Sequence, residues 1–285
     1  MLYKIIGDSC SDFTPEMWES PAFASVPLVL ELGTYSVVDD KSFRQREFLD
    51  RVAASPVGPK TACPSPEAYQ RAIEESNAEE VYIVTLSEHL SGSYQSAVVG
   101  LQLFEEAHPD RMGKKIHVFG SDSASAGQCN LCLEIRERKE NGESFEELVR
   151  NVTEKIHRMQ TYFVLESLET LRKNGRLSAV KSFLASALNI KPVMGAVNGV
   201  IVQLDRQRGM NKALRRMAEL AVERAGGAEA TKALRVVITH VDAPERAEFV
   251  KQELLRLATF RELIVTNAQG VATVYANDQG IVIAL

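Results

Sequence analysis

Val81-Tyr82-Ile83-Val84-Thr85-Leu86-Ser87-Glu88-His89-Leu90-Ser91-Gly92-Ser93-Tyr94-Gln95-Ser96-Ala97 is the stretch that decides the fold. Its first four residues are an apolar, β-branched and aromatic run of strand length. From Tyr94 to about Phe104 the chain can run as a helix. Small hydroxyl residues and one glycine therefore stand where a strand gives way to a helix. In an open α/β sheet, ligands bind in that place. A helix start offers unpaired N–H donors and a partial positive charge, which suits a carboxylate or phosphate. The loop holds no Lys or Arg, so it would grip an anion mainly through hydrogen bonds.

The same rhythm recurs on both sides. Leu2–Ile6 reads as a strand followed by Gly7-Asp8-Ser9-Cys10-Ser11-Asp12, and Ile116–Phe119 as a strand followed by Gly120-Ser121-Asp122-Ser123. Three strand–polar loop–helix passages predict a mainly parallel sheet with its loops gathered at one edge. Each Asp-Ser pair reads as a simple helix cap or as part of one shared site. Val26–Leu30 is a further apolar run, which Pro27 places at a sheet edge or a strand start. Lys41 to Ala54 is helical, and Ser55–Pro59 breaks it. Ser65 and Pro66 then open another helix.

The spacing predicts an amphipathic helix over Gly142–Met159, which bridges to a second unit. There, Thr161–Leu165, Ile190–Met194, Gly199–Leu204 and Arg235–His240 read as strands, with Asn198-Gly199 as a hairpin turn. Helices are expected at Ser167–Lys173 (closed by Asn174-Gly175), Ser178–Leu188 and Met210–Arg224. The resulting expectation is two α/β domains, 1–159 with a mainly parallel sheet flanked by helices and 160–285 with a mixed sheet and helices.

Composition narrows the function. A formal net charge of −5 argues against a nucleic-acid surface, and no apolar run reaches the ~18 residues of a membrane span. The N-terminus has no signal-peptide pattern, so the expected location is the cytoplasm. Cys129 and Cys132 form C-x-x-C without a second pair or a spaced histidine pair, so they read as core thiols and no metal is expected. Cys10 and Cys63 fall inside the candidate ligand loops.

Taken together, these motifs resemble the DegV family of bacterial fatty-acid-binding proteins, which have the EDD fold. Ile6-Gly7-Asp8-Ser9-Cys10-Ser11-Asp12 is similar to the family's D-S-x-x-D, and Val26-Pro27-Leu28 to its V-P-L. Thr61-Ala62-Cys63-Pro64-Ser65 is similar to T-S-Q-P-S, and Leu90–Ala97 to L-S-G-T-Y-Q-S-A. Asp122-Ser123, Leu171-Arg172-Lys173-Asn174-Gly175-Arg176-Leu177-Ser178 and Ile190-Lys191-Pro192 complete the series.

The resemblance implies a carrier that clamps one long-chain fatty acid between two domains and presents it to a fatty acid kinase, with no catalytic nucleophile and no cofactor of its own. It carries head-group contact to Thr61, Ser91, Gly92 and Ser93, and contact with partner or head group to Arg176. The acyl tunnel is expected among Phe163, Val164, Leu165, Leu168, Leu171, Ile190 and Met194. The family's C-terminal glycine-rich pattern is changed here: Ala276 stands at its histidine position and Asp278 at an inner glycine, where a carboxylate aimed at the site would repel an anion. His240, at a strand end, reads as a structural residue or as an approach to the site from the second domain.

Two other readings compete. One is a binder of a different anionic amphiphile, uncoupled from any kinase. The other is a small α/β hydrolase using Ser91 or Ser93, against which the chain has no G-x-S-x-G elbow, and no Walker or G-x-G-x-x-G phosphate loop supports a phosphotransferase.

Overall fold

The computed structural model describes residues 2–111, 113–177 and 189–285, and the side chain of Arg111 is not among the features described. The helix expected over Ser178–Leu188 lies outside these residues. A first sheet contains β1 (Tyr3–Asp8), β2 (Phe23–Val26), β6 (Glu80–Thr85) and β7 (Lys115–Gly120), all parallel, in the order β2-β1-β6-β7. A small antiparallel sheet, β4-β3-β5, joins β3 (Val29–Leu32), β4 (Tyr35–Val38) and β5 (Lys60–Ala62). The third sheet is mixed. It orders β8 (Thr161–Val164), β9 (Ile190–Val197), β10 (Val200–Arg208), β11 (Arg235–His240), β12 (Glu262–Asn267) and β13 (Ile281–Ala284) as β10-β9-β8-β13-β11-β12, with β11 and β12 parallel.

The parallel sheet is buried on both faces, as its unbroken apolar strands require. Ile6, Val81 and Ile83 face the helices Pro66–Glu75 and Ser93–Ala107, whereas Ile5, Tyr82 and Val84 face the helix Ala126–Glu140. The run Val26–Leu30 is divided: Pro27 lacks the N–H that would continue a ladder, so β2 ends before it at the sheet edge and β3 begins after it in another sheet.

The helix Ala126–Glu140 lies between the parallel and mixed sheets, and all its residues from Ala126 to Ile135 are buried. It packs on Tyr82 and Val84 on one side and on Val237 and Ala284 on the other. Cys129 and Cys132 sit in this core, where burial pushes both thiols up. The following helix, Phe145–Arg158, starts in a capping box between Ser144 and Glu147. Asn198 (φ 48°) and Gly199 (φ 73°) make the left-handed pair that a tight turn between β9 and β10 needs. No described helix is long and apolar enough to cross a membrane.

Candidate functional site

The loops leaving the carboxyl ends of β1, β6 and β7 converge. Buried Asp8 joins the first two: its carboxylate accepts from the Cys10 N–H (3.1 Å), the Leu86 N–H (2.8 Å) and Gln128 Nε2 (2.9 Å). The Ser87 N–H donates to Ser123 O at 2.8 Å, tying the second loop to the third. Asp12 accepts from the Ser125 hydroxyl (2.5 Å) and from the Gln269 N–H (2.6 Å). Asp39 accepts from the Gly270 and Val271 N–H groups at 2.7 and 2.9 Å, at the start of the helix Gly270–Ala276. Burial raises all three carboxyls, Asp8 and Asp39 to about 6 and Asp12 to about 8, against the opposing pull of these donors. The Asp8-Ser9 motif is thus a brace that shapes the loops.

Between these loops and the mixed sheet lies a mainly apolar cavity. It holds about 820 Å³ of empty space including its mouth. All three loops reach it, through Cys10, through Leu86, Leu90 and Ser91, and through the stretch 122–125. The floor follows the pleat of β8. Thr161, Phe163 and Leu165 face the cavity, while Tyr162 and Val164 face the opposite core. From Thr161 to Leu165, one residue past the end of β8, extended backbone gives the floor a length of ~13 Å. Thr61, Leu171, Arg176, Tyr275 and Ala276 line it as well.

Of the residues singled out in the sequence, Thr61, Ser91, Arg176, Phe163, Leu165 and Leu171 come together around this space. Val164 does not, because one step along a strand turns a side chain to the other face. Leu168 and Met194 are buried in the cluster that packs beside Phe163 and Leu165, and do not line the cavity. Ile190 shares its strand face with Ala196, which does line it. Six residues back along β9, ~20 Å away, Ile190 is exposed. Gly92 supports the loop instead: a Cβ there would stand 3.3 Å from Cys63 Sγ. Ser93 is fully buried behind Ser91, with the hydroxyls 3.0 Å apart and the Ser93 N–H donating to Ser91 Oγ. His240 accepts from the Ala243 N–H through Nδ1 at 3.1 Å and does not line the cavity. Asp278 pairs with Arg46 (3.4 Å) outside the cavity.

Charge at the site comes from outside the 86–92 loop. No cation is in the 86–92 loop, yet the Arg176 guanidinium reaches it from the turn after the helix Glu169–Lys173, donating through Nε to Leu90 O (3.1 Å) and through Nη1 to Asn174 O (2.6 Å). Among the described residues no carboxylate pairs with it, so its charge is available to a ligand. Its guanidinium lies 5.6 Å from the centre of the Tyr275 ring, and the Tyr275 hydroxyl meets Thr61 Oγ1 at 3.0 Å. Tyr275 was missed from the sequence. The signal was there: Val271, Ala272, Tyr275 and Ala276 fall on one face of a helix.

A family model, "Uncharacterised protein, DegV family", matches residues 3–284. The chain belongs to the DegV family. A DegV domain-containing protein of Streptococcus pneumoniae is 30% identical over 289 residues, covering 99% of this chain and 98% of that one. Among solved structures, a DegV family protein of Ruminococcus gnavus with vaccenic acid is 43% identical, with a TM-score of 0.93 and 99% of both chains covered. The Streptococcus pneumoniae fatty acid kinase (Fak) B3 protein, loaded with linoleic acid, is 29% identical, with a TM-score of 0.85 and coverage of 100% of this chain and 99% of that one.

Proposed function

We propose that this DegV protein binds one long-chain fatty acid in the cavity beneath the 86–92 loop and presents its carboxylate to a fatty acid kinase. The observation that carries the reading is the pairing of a mainly apolar cavity with a lining that also bears hydroxyls and the uncompensated charge of Arg176. Burying a methylene is worth ~0.8 kcal/mol, so ten of them give a gross ~8 kcal/mol, and the tail supplies most of the affinity. The mouth then has only to replace the water lost by the carboxylate. Ser91, Arg176 and the hydrogen-bonded hydroxyl pair Thr61–Tyr275 offer the donors, while Gly92 and Ser93 hold Ser91 in place. Phe163, Leu165 and Leu171 line the tail, with Leu168 and Met194 packed behind. The acid is cargo, not cofactor. The R. gnavus relative in complex with vaccenic acid and the linoleate-loaded Fak B3 protein support the same ligand class.

The slot lies between two lobes, 1–159 and 160–285, each built on its own sheets. A cytoplasmic carrier also suits four free thiols, one of them exposed at Cys63. A hydrolase would need a base beside Ser91; among the described residues no histidine lines the cavity, and the hydroxyl partner of Ser91 is Ser93. Native mass spectrometry of protein purified from cells tests the reading. One co-purifying mass of a C14–C18 acid per chain is expected. A different bound amphiphile would transfer the site to another ligand class, and an empty protein that also fails to take up added oleic acid would contradict the reading.

A further inference from the structure

The reading of the cavity as a fatty-acid site leaves open which hydroxyl meets the carboxylate. Resting on that reading, we propose that the Tyr275 phenol makes this contact and that Thr61 acts through it as a positioning residue.

The two hydroxyls are 3.0 Å apart, so one of their two protons is consumed within the pair and one remains for a ligand. A phenol is a better donor than an alkyl hydroxyl. The Arg176 guanidinium, 5.6 Å from the ring centre, draws density from the ring and strengthens the O–H further. The favoured arrangement therefore has Thr61 donating to the Tyr275 oxygen and Tyr275 donating outward, a chain in which each bond polarises the next. The backbone agrees with this order. Thr61 is held in β5 opposite Leu30, whereas Tyr275 projects from a helix whose cavity-facing neighbours Ala272 and Ala276 are small. The phenol is then the polar group by which that helix reaches the head group, and the Tyr275–Thr61 bond also joins the helix Gly270–Ala276 to β5 across the mouth.

The test measures oleic acid and oleyl alcohol binding to the full chain, to Tyr275→Phe, to Thr61→Val and to the double variant, with melting temperatures as a control on folding. Tyr275→Phe keeps the ring and its contact with Arg176. It should weaken oleic acid binding about tenfold to a hundredfold, the range for a hydrogen bond to a charged group, with a smaller loss for the alcohol. Thr61→Val should weaken oleic acid binding by only about two- to fivefold, and should add nothing in the Tyr275→Phe background. A Tyr275→Phe protein that melts and binds as the unsubstituted chain does, or a Thr61→Val loss of equal size in both backgrounds, would overturn the assignment and leave the fatty-acid reading standing. Failure of the unsubstituted chain to bind oleic acid would overturn both.

Discussion

At the scale of single residues, the buried aspartates separate structural work from ligand work. Asp12 is fully buried and its carboxyl is pushed up to about 8, so the folded chain holds a proton there that the unfolded chain releases near pH 4. Below about pH 4 both states are protonated and the contribution to stability is complete. Between about 4 and 8 only the folded state binds the proton, and stability falls as pH rises, by at most ~1.4 kcal/mol per pH unit. Asp12→Asn should remove this slope while keeping both hydrogen bonds, because an amide accepts from the Gln269 N–H and donates to Ser125 Oγ. Its backbone is left-handed (φ 44°), which asparagine tolerates. Urea midpoints at pH 6.5 and 8 check this: the unsubstituted chain should lose stability across the interval and Asp12→Asn should lose less. Identical slopes would place the proton elsewhere. This residue-level division was only half legible. Thr61, Ser91 and Arg176 could be read from their motifs, but a sequence does not show that Asp8 faces backbone amides, or that Ser93 stands behind Ser91.

At the scale of elements, periodicity did most of the prediction, and its failures have definite causes. Strand and helix alternation was readable through β1, β6 and β7 because each strand is a continuous apolar run bounded by polar loop residues. The helix Ala126–Glu140 showed only its beginning: it is covered on both sides, so the apolar stripe that marks a one-faced helix is missing. The apolar run of β8 does not itself distinguish Val164 from the tunnel residues; the pleat sends alternate side chains to different cores. The helix carrying Tyr275 is only seven residues long and begins at a glycine, too short to show a sustained helical period.

The pairing of the helices Pro66–Glu75 and Ser93–Ala107 offers a test at this scale. Gly100 lets them approach so closely that a Cβ would stand 2.5 Å from Pro66 O and 2.7 Å from Tyr69 Cβ. Gly100→Ala should therefore destabilise the fold by about 1–3 kcal/mol, despite the higher helix propensity of alanine. An equal or higher melting temperature would show that the helices can separate freely.

At the scale of the whole molecule, function follows from where two sheets fail to meet. The helix Ala126–Glu140 fills the space between them along most of its length. Beyond its start at Ala126, the loops of the parallel sheet arch over β8 and leave the channel. The mixed sheet supplies the floor, the parallel sheet supplies the hydroxyl rim, and Arg176 and Tyr275 come from the later half of the chain to complete the mouth. The general plan of an α/β chain with a parallel sheet followed by a mixed one could be read from motif order. The motif also pointed to Arg176; what it did not show is the contact that holds this side chain, the Leu90 carbonyl 86 residues away. A ligand held by both sheets stabilises the folded state by mass action, so a saturating fatty acid should raise the melting temperature, with the gain growing with chain length until the channel is full.

A crystal structure of the chain with oleic acid tests the central claim most directly. The account predicts one acyl chain lying along Phe163 and Leu165, with its carboxylate within hydrogen-bonding distance of Tyr275 and beside Ser91 and Arg176. An acyl chain bound elsewhere, or lying in this channel with its carboxylate at the Thr161 end, would contradict it.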